Sequence, residues 1–376
     1  MPSTLPVWID DPENAAILAV SEDRLAGFQL DPFGEVAERS GIDVATVLER
    51  IVAMVRAGTI RRVRQTLMAT SLADGALCAW QVPQDRLAPA FDWLFKEDPF
   101  SGHVVIRTTD AATPGSNYRL WTTLKTPQGF SIEKHAAFLA TRIGAEAYRL
   151  MPAKKLFALG VGHVRRRGME AGARADVLAE VTDTNVVQLS ALEWRVLTAL
   201  KREFGPEEIV RDLWRGRAAE AGVTLEEFER VAKQLNARGV IGRFSTFLEH
   251  VKPNANAGGQ SVTRYNALFH WKVPQGREID AGREVGRHYI MTHAYWREGG
   301  PEFKGVNIMG VAHGTEKETV LAHKAAIDEH LREAGIGFDY TNVFWGGRSE
   351  IKPSEIAPAA YVEFCREHGL DPEAMR

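Results

Sequence analysis

The sequence repeats itself, and this repeat constrains the fold more than any other feature of the chain. The stretches GHVVIR (102–107) and THAYWR (292–297) both place an arginine four residues after a histidine. Further anchors recur in the same order: AGTIRR (57–62) matches RGVIGR (238–243), and ALCAWQVP (76–83) matches ALFHWKVP (267–274). The second half adds a Gly/Asn/Pro stretch at 252–260, which is typical of an inserted loop. We therefore interpret the chain as a tandem duplication.

Each half begins with short helices that lead into a strand. In DVATVLERIVAMVRAG (43–58), apolar residues recur at helical spacing, Asp43 is placed to cap the amino terminus, and Gly58 is placed to end the helix. A β-leaning stretch, TIRRVRQTLMA (59–69), follows. Helix, turn, helix and strand form the pattern of a winged helix-turn-helix. The second half repeats this pattern and reaches VIGRFSTFLEH (240–250).

After each wing, the sequence pattern changes to strand, helix, strand, strand, helix, strand, which is the ferredoxin-like order. The predicted fold class is therefore α+β, a tandem duplication of a winged helix-turn-helix plus a ferredoxin-like (βαββαβ) domain. A linker with an arginine run at 165–167, interpreted as solvated, joins the halves. The predicted boundaries are 10–70 and 189–255 for the winged helices, 71–160 and 261–360 for the ferredoxin-like domains, and 161–188 for the linker.

Four short motifs carry a resemblance to a known family. They are GTIRR (58–62), AWQVP (79–83), THAYWR (292–297) and AHG (312–314). In this order they resemble the siroheme decarboxylases, a branch of the Lrp/AsnC family that pairs two such units as separate subunits or as one fused chain. The resemblance covers almost the whole chain.

The resemblance implies a reaction and a substrate. The family removes the acetate carboxyls at ring positions 12 and 18 of siroheme as CO2, without oxidation, and gives 12,18-didecarboxysiroheme on the way to haem or haem d1. It implies no cofactor beyond the iron tetrapyrrole substrate and no separate metal site. Such a site needs cations for several carboxylates, which the planar fork of arginine suits. It also needs a proton donor, which histidine supplies near neutral pH.

The second His-Arg strand predicts how these groups are arranged. Residues i, i+2 and i+4 of a strand face the same side, so His293, Tyr295 and Arg297 form a polar row about 13 Å long at ~3.3 Å per residue. Lone buried charges are costly, so a polar row on an apolar sheet face favours an anionic ligand. The first half has Val105 in place of Tyr295, and we expect the second half to carry the chemistry.

The candidate site residues follow from the row, the motifs and their counterparts in the other half. The predicted catalytic residues are His293, Arg297, Tyr295 and His313. The predicted substrate-binding residues are Arg61, Arg62, Arg64, His103, Arg107, Arg119, Lys125, Arg243 and Asn307. Arg119 and Lys125 stand where the second half has Asn307 and His313. Whether a histidine ligates the siroheme iron is left open.

Two other functions remain as alternatives. One is an Lrp/AsnC-type transcriptional regulator. It fits less well, because the chain has a net charge of −3 and its second recognition helix opens with Glu226, Glu227 and Glu229. We do not expect specific DNA binding. The other alternative is a tetrapyrrole sensor without turnover, which would bind siroheme and leave its mass unchanged.

Composition adds the expected cellular setting. Cys78 and Cys365 are the two cysteines, too few for a disulfide framework. The amino terminus lacks the order of a secretion signal, and no stretch approaches the ~20 apolar residues that span a bilayer. We therefore expect a cytoplasmic protein without a membrane partner. Association of the fused chain as a homodimer is left open.

Overall fold

The computed structural model describes residues 5–68, 71–159, 169–184, 186–249 and 265–376. Both the predicted arginine run at 165–167 and the predicted inserted loop at 252–260 lie outside the described residues. The described chain divides into two compact units. The first unit holds residues 5–68, 169 and 187–249, and the second holds residues 71–159, 170–184, 186 and 265–376.

The described chain contains eleven α-helices and twelve β-strands. The helices are α1 Pro12–Ser21, α2 Pro32–Ser40, α3 Val44–Ala57, α4 Leu87–Lys96, α5 Ile132–Ile143, α6 Ala191–Lys201, α7 Trp214–Ala221, α8 Leu225–Ala237, α9 Glu278–Gly286, α10 Lys317–Glu333 and α11 Pro358–Glu367. The strands are β1 Leu25–Ala26, β2 Ile60–Leu67, β3 Ala73–Gln81, β4 Ser101–Thr108, β5 Leu120–Pro127, β6 Ala147–Leu159, β7 Thr182–Asp183, β8 Ile241–Leu248, β9 Tyr265–Lys272, β10 Met291–Arg297, β11 Ile308–Gly314 and β12 Tyr340–Ile351. The fold is mixed helix and sheet.

The first unit contains both segments that were predicted as winged helices. Helix α3 begins and ends as its sequence predicts: the Asp43 side chain accepts a hydrogen bond from the backbone of Thr46, and Gly58 ends the helix with φ 77°. Strand β2 then pairs antiparallel with β8 from the other half, and β8 also pairs with β1. The two predicted wings therefore form one small sheet, in the order β1-β8-β2.

The second unit is a closed ring of antiparallel strands. Its strands follow the order β10-β11-β9-β12-β4-β5-β3-β6, and β10 pairs back onto β6. Within each half the order of elements is the predicted one: β3-α4-β4-β5-α5-β6, then β9-α9-β10-β11-α10-β12. The ring closes at two seams, β12 on β4 and β10 on β6, and each seam joins one half to the other.

Helices cover the outer face of the ring and an apolar cluster fills its inner face. Trp80 of the first half and Trp271 of the second are fully buried beneath these helices, as the sequence predicts for core residues. The inner cluster takes residues from both halves, including Trp121, Met151, Leu268 and Phe344. Alternation along each strand thus separates an outer, helix-covered core from an inner core.

Three features of the second unit were not predicted. Helix α9 lies close to β6 of the other half, because a side chain on Gly282 would meet the ring of Phe157 at 2.1 Å. Helix α11 adds Tyr361 to the outer core of the first half. Part of the predicted linker packs on this unit, where β7 pairs with β6.

Candidate functional site

The predicted polar row on β10 lies on the inner face of the ring. Ala294 is buried in the outer, helix-covered core and Trp296 packs against the same core, so the alternate residues face inward. The His293 and Tyr295 rings stack with centroids 6.2 Å apart. The Arg297 guanidinium carbon lies 4.4 Å from the centroid of the Tyr295 ring. The three side chains of the row therefore touch one another in sequence.

Arg297 is almost completely buried, and besides Tyr295 it contacts residues of the first half. It donates a hydrogen bond to the backbone carbonyl of Met151, and its backbone lies opposite Ala153 on β6. Burial lowers the pKa of Arg297, and the neighbouring Tyr295 partly offsets this effect. Burial also raises the pKa of the Tyr295 hydroxyl.

Lys125 lies close to Arg297 on the same inner face. It alternates with Leu124, which belongs to the outer core, and it pairs with Gly75 across β3 and β5. Its Nζ atom occupies the space above Gly75, where a Cβ would lie only 2.8 Å away. Burial and then Arg297 lower the pKa of Lys125 to about 8, whereas Asp74 raises it. We call Arg297, Lys125, Gly75 and Ala153 the Lys125 end of the ring.

A cavity of about 320 Å³ borders the Lys125 end through Gly75 and Ala153, and neither Lys125 nor Arg297 is among its lining residues. Gly75 and Ala153 form part of its wall, and Asp74 and Glu133 also line it. Burial, with a contribution from Glu133, raises the pKa of Asp74. The cavity is within the size range of small-molecule sites but at the low end of it, so it suits part of a large ligand.

Arg107 lies at the opposite end of the ring, where residues of the second half accept its hydrogen bonds. Its guanidinium donates to Asn266 Oδ1 at 3.3 Å and to the carbonyl of Phe344 at 3.4 Å. Burial lowers the pKa of Arg107 to about 9. Asn266 also lies opposite His313, across β9 and β11. We call Arg107, Asn266 and His313 the Arg107 end.

The two strands that carry a His-Arg pair, β4 and β10, thus place their arginines at different ends of the ring, and each arginine contacts residues of the other half. The first half supplies Arg107 to residues of the second half, and the second half supplies Arg297 to residues of the first. That the second half carries the chemistry stays a prediction, and the arrangement adds that each arginine donates a hydrogen bond to the other half. Among the described residues, no carboxylate forms a salt bridge with Arg107, Lys125 or Arg297.

Three further predicted residues lie in the second unit, and each has hydrogen-bond partners of its own. His103 shares a hydrogen bond of 2.8 Å between its Nε2 and Ser349 Oγ. The Arg119 guanidinium donates to the side chain of Gln84. Asn307 is buried, and its amide bonds both the backbone N–H and carbonyl of Val273. Because these bonds brace the end of β9, we leave Asn307 out of the proposed site.

The four predicted wing arginines lie together in the first unit. Arg62 forms a salt bridge of 3.1 Å with Glu203, and Arg243 donates to the carbonyl of Glu22. The guanidinium carbons of Arg64 and Arg243 lie 5.4 and 5.8 Å from the centroid of one ring, Phe247. Burial, then the charges of Arg62, Arg243 and Arg61, lower the pKa of Arg64 to about 10. Mutual repulsion of this kind favours an anion nearby.

Sequence reasoning missed His270 on β9. It is buried on the inner face, 4.9 Å from the ring of Phe344, and neither ring nitrogen has a hydrogen-bond partner in the described structure. Burial, with Arg107 and Lys324 contributing, lowers its pKa to about 3. The signal was weak, because the matching position in the first half is Ala79, an apolar core residue.

Several known proteins are similar to this chain in sequence. A family model described as the AsnC-like ligand binding domain matches residues 72–158. A siroheme decarboxylase of Hydrogenobacter thermophilus is 25% identical over 295 residues, 77% of this chain and 80% of that protein. The siroheme decarboxylase alpha subunit of Desulfovibrio desulfuricans is 30% identical over 138 residues, 36% of this chain and 75% of that protein.

Solved structures agree with this relationship. The crystal structure of the siroheme decarboxylase NirDL has a TM-score of 0.65 and 20% identity, and the match covers 95% of this chain and 99% of that chain. The same enzyme in complex with an iron-uroporphyrin III analogue gives a TM-score of 0.64, again at 20% identity, over 95% of this chain and 97% of that chain. At this identity the likeness shows a shared fold.

Fold and site together define a protein with an AsnC-like ligand-binding domain whose strand ring carries buried cations from both halves. The sequence comparison is more specific than this class. The chain belongs to the siroheme decarboxylase family, a branch of the AsnC-like proteins. Among the described residues, no helix is long and apolar enough to cross a membrane.

Proposed function

We propose that this protein is a siroheme decarboxylase that removes the acetate carboxyls at ring positions 12 and 18 as CO2 and gives 12,18-didecarboxysiroheme. The named relatives support this activity. The observation that carries it is the presence of three inward cations, Arg107, Lys125 and Arg297, without a carboxylate in a salt bridge among the described residues. Buried charges of this kind are costly unless a ligand neutralises them, and siroheme brings several carboxylates.

The proposed chemistry needs binding and one proton for each carboxyl lost. Arg107 and Arg297 hold carboxylates that the product retains, because a cation on the departing carboxylate would stabilise the ground state and slow the reaction. When the C–C bond breaks, its electron pair stays on the ring-side carbon and CO2 leaves. A proton then completes the methyl group, with His293 as donor or relay. His103, Tyr295 and His313 complete the proposed set of site residues. The reaction needs no oxidant, because the electron pair of the broken bond is taken up by the proton.

We propose the same carboxylate-binding role for the wing arginines Arg61, Arg62, Arg64 and Arg243. Arg64 supports this, because three other arginines lower its pKa and an anion would relieve that repulsion. Arg119 is kept in the proposal as a residue at the rim of the ring. No cofactor beyond the iron tetrapyrrole is proposed.

The finer fold assignment is also a proposal. We propose that each half is a winged helix-turn-helix followed by a ferredoxin-like domain, with the predicted boundaries 10–70, 71–160, 189–255 and 261–360 and a linker at 161–188. The matching order of elements in the two halves supports it. The Desulfovibrio desulfuricans enzyme has alpha and beta subunits, which suggests how one fused chain can contain two related halves.

The transcriptional regulator is the weaker candidate on structural grounds. Helix α3 offers two arginines, and Arg50 is buried against Asp11 at 3.2 Å, while Arg56 pairs with Glu207 at 2.5 Å. Neither cation is thus free for phosphates, which DNA readers contact extensively. We propose that the winged helices serve as scaffold. A homodimer of the fused chain and a place in the haem or haem d1 pathway remain predictions.

One experiment tests the proposed activity. The purified protein is incubated with siroheme without oxygen, and the tetrapyrrole is analysed by mass spectrometry. We expect loss of two CO2 per siroheme. Siroheme that binds with unchanged mass would instead indicate a sensor, and absence of both binding and turnover would refute the assignment.

A further inference from the structure

The two ends of the ring differ in one chemically important group. Lys125 on β5 and His313 on β11 stand at matching places in the duplicated sequence, and each lies on the inner face. The Lys125 end therefore has an ammonium group where the Arg107 end has an imidazole. The two groups pair with Gly75 and Asn266 respectively.

We propose that Lys125 is the proton donor for decarboxylation at the Lys125 end, where its amino group lies over Gly75 on the inner face of the ring. This inference rests on the proposed function and adds a catalytic residue to it. Arg297 holds a retained carboxylate there, and the ammonium group of Lys125 delivers a proton to the carbon from which CO2 has left. The neutral amine then regains a proton from water.

The position of the amino group supports donation rather than simple charge pairing. The Nζ atom lies over Gly75 on the inner face of the ring, where Arg297 acts on it. No carboxylate forms a salt bridge with it in the described structure, so its hydrogens are not committed to a fixed partner. Arg297 and Asp74 are the charged groups that act on it, and Glu133 acts on Asp74. Its lowered pKa, about 8, keeps it protonated at neutral pH yet makes it a better acid than an ordinary lysine.

Three substitutions of Lys125 separate donation from charge. Lys125→Met removes charge and proton, Lys125→Arg keeps charge but does not release a proton near neutral pH, and Lys125→His restores a donor of the kind found at the other end. We expect the Met and Arg variants to lose one of the two CO2 losses by about 10²–10⁴-fold and to accumulate a monodecarboxylated product. The His variant should recover much of that rate. Its pH profile should also shift, with activity falling as pH rises through about 6.5 instead of about 8.

A matched control and two contrary outcomes complete the test. Lys154→Met removes an exposed lysine of β6 that pairs with Glu298 at 2.8 Å, and it should keep both CO2 losses. If Lys125→Arg is as active as the native protein, or if Lys125→Met keeps both losses within about threefold, the proposal is overturned. Absence of any CO2 loss in the native protein would instead overturn the proposed function itself. Retained siroheme spectra in each variant show that the fold is intact.

Discussion

Replacement of Arg297 by methionine should separate ligand binding from stability. Arg297 is buried and has no carboxylate partner among the described residues, but it donates to the carbonyl of Met151 and lies over the Tyr295 ring. Loss of these contacts costs about 1 kcal/mol for the hydrogen bond and about 1–2 kcal/mol for the cation–π contact. Removing an unpaired buried charge returns several kcal/mol of desolvation energy. We therefore expect the free energy of unfolding to stay the same or rise.

Affinity for siroheme should change in the opposite direction. A charge-assisted hydrogen bond to a carboxylate contributes roughly 1.5–3 kcal/mol, which corresponds to an affinity about ten- to a hundred-fold weaker in Arg297→Met. The assay is an anaerobic titration of siroheme followed by its absorption spectrum. Urea unfolding of the ligand-free protein, followed by tryptophan fluorescence, measures stability in parallel.

Arg217 provides the matched control in the first unit. It is buried, like Arg297, but it pairs with Glu208 at 2.9 Å and Glu220 at 3.3 Å. Arg217→Met should therefore lower the free energy of unfolding by roughly 1.5–3 kcal/mol, because its charge-assisted hydrogen bonds to these carboxylates are lost and Arg202 alone remains paired with them. It should leave siroheme affinity unchanged. If Arg297→Met behaves like Arg217→Met, with lower stability and intact affinity, then Arg297 is a structural residue and our reasoning about unpaired cations is wrong.

Other predictions address the remaining groups. His293→Ala should keep the siroheme spectrum and slow one of the two CO2 losses by about 10²–10⁴-fold in the mass assay, because the proton donor or relay for that loss is gone. The pKa of His270 is about 3 in the folded chain and about 6.5 in the unfolded chain, so only the unfolded chain takes up this proton as pH falls from 6.5 toward 3. The free energy of unfolding from urea melts should therefore fall over that window by up to about 1.4 kcal/mol per pH unit, and His270→Phe should reduce the slope. His135→Leu, which removes the partner of buried Asp98 and of the Tyr361 hydroxyl, should cost about 3–5 kcal/mol of unfolding free energy in urea melts and leave siroheme affinity intact. Gel-shift titration at ~0.15 M salt should show no saturable, sequence-selective DNA binding.

Local structure could be predicted because its signals lie within a few residues. The cap at Asp43, the stop at Gly58 and the inward row on β10 each depend on spacing that the sequence shows directly. The repeated order of elements followed from the same signals. Their agreement in both halves made the prediction of duplication stronger than either half alone.

Long-range contacts could not be predicted in the same way. Helix α11 packs its Tyr361 against His135 of the first half, although more than half of the chain lies between them. His270 received no attention, because the matching residue of the other half is Ala79 and nothing local marks it as polar and buried. Asn307 looked like a binding residue by position, yet its amide serves the backbone of Val273. For Tyr361 and Asn307 the deciding partner is remote in sequence.

The crossed arrangement of the two arginines follows from how the ring closes. His293 and Arg297 are separated by about 13 Å along one strand, too far for both to face one carboxylate. Each edge strand, β4 and β10, pairs at a seam with the last strand of the other half, so the arginine at its end meets residues of that half. A motif that recurs as one unit in the sequence is therefore divided between two ends in the structure. The duplicated spacing of His and Arg is best explained by this division: each strand contributes one residue to each end, and both halves are needed to complete either end.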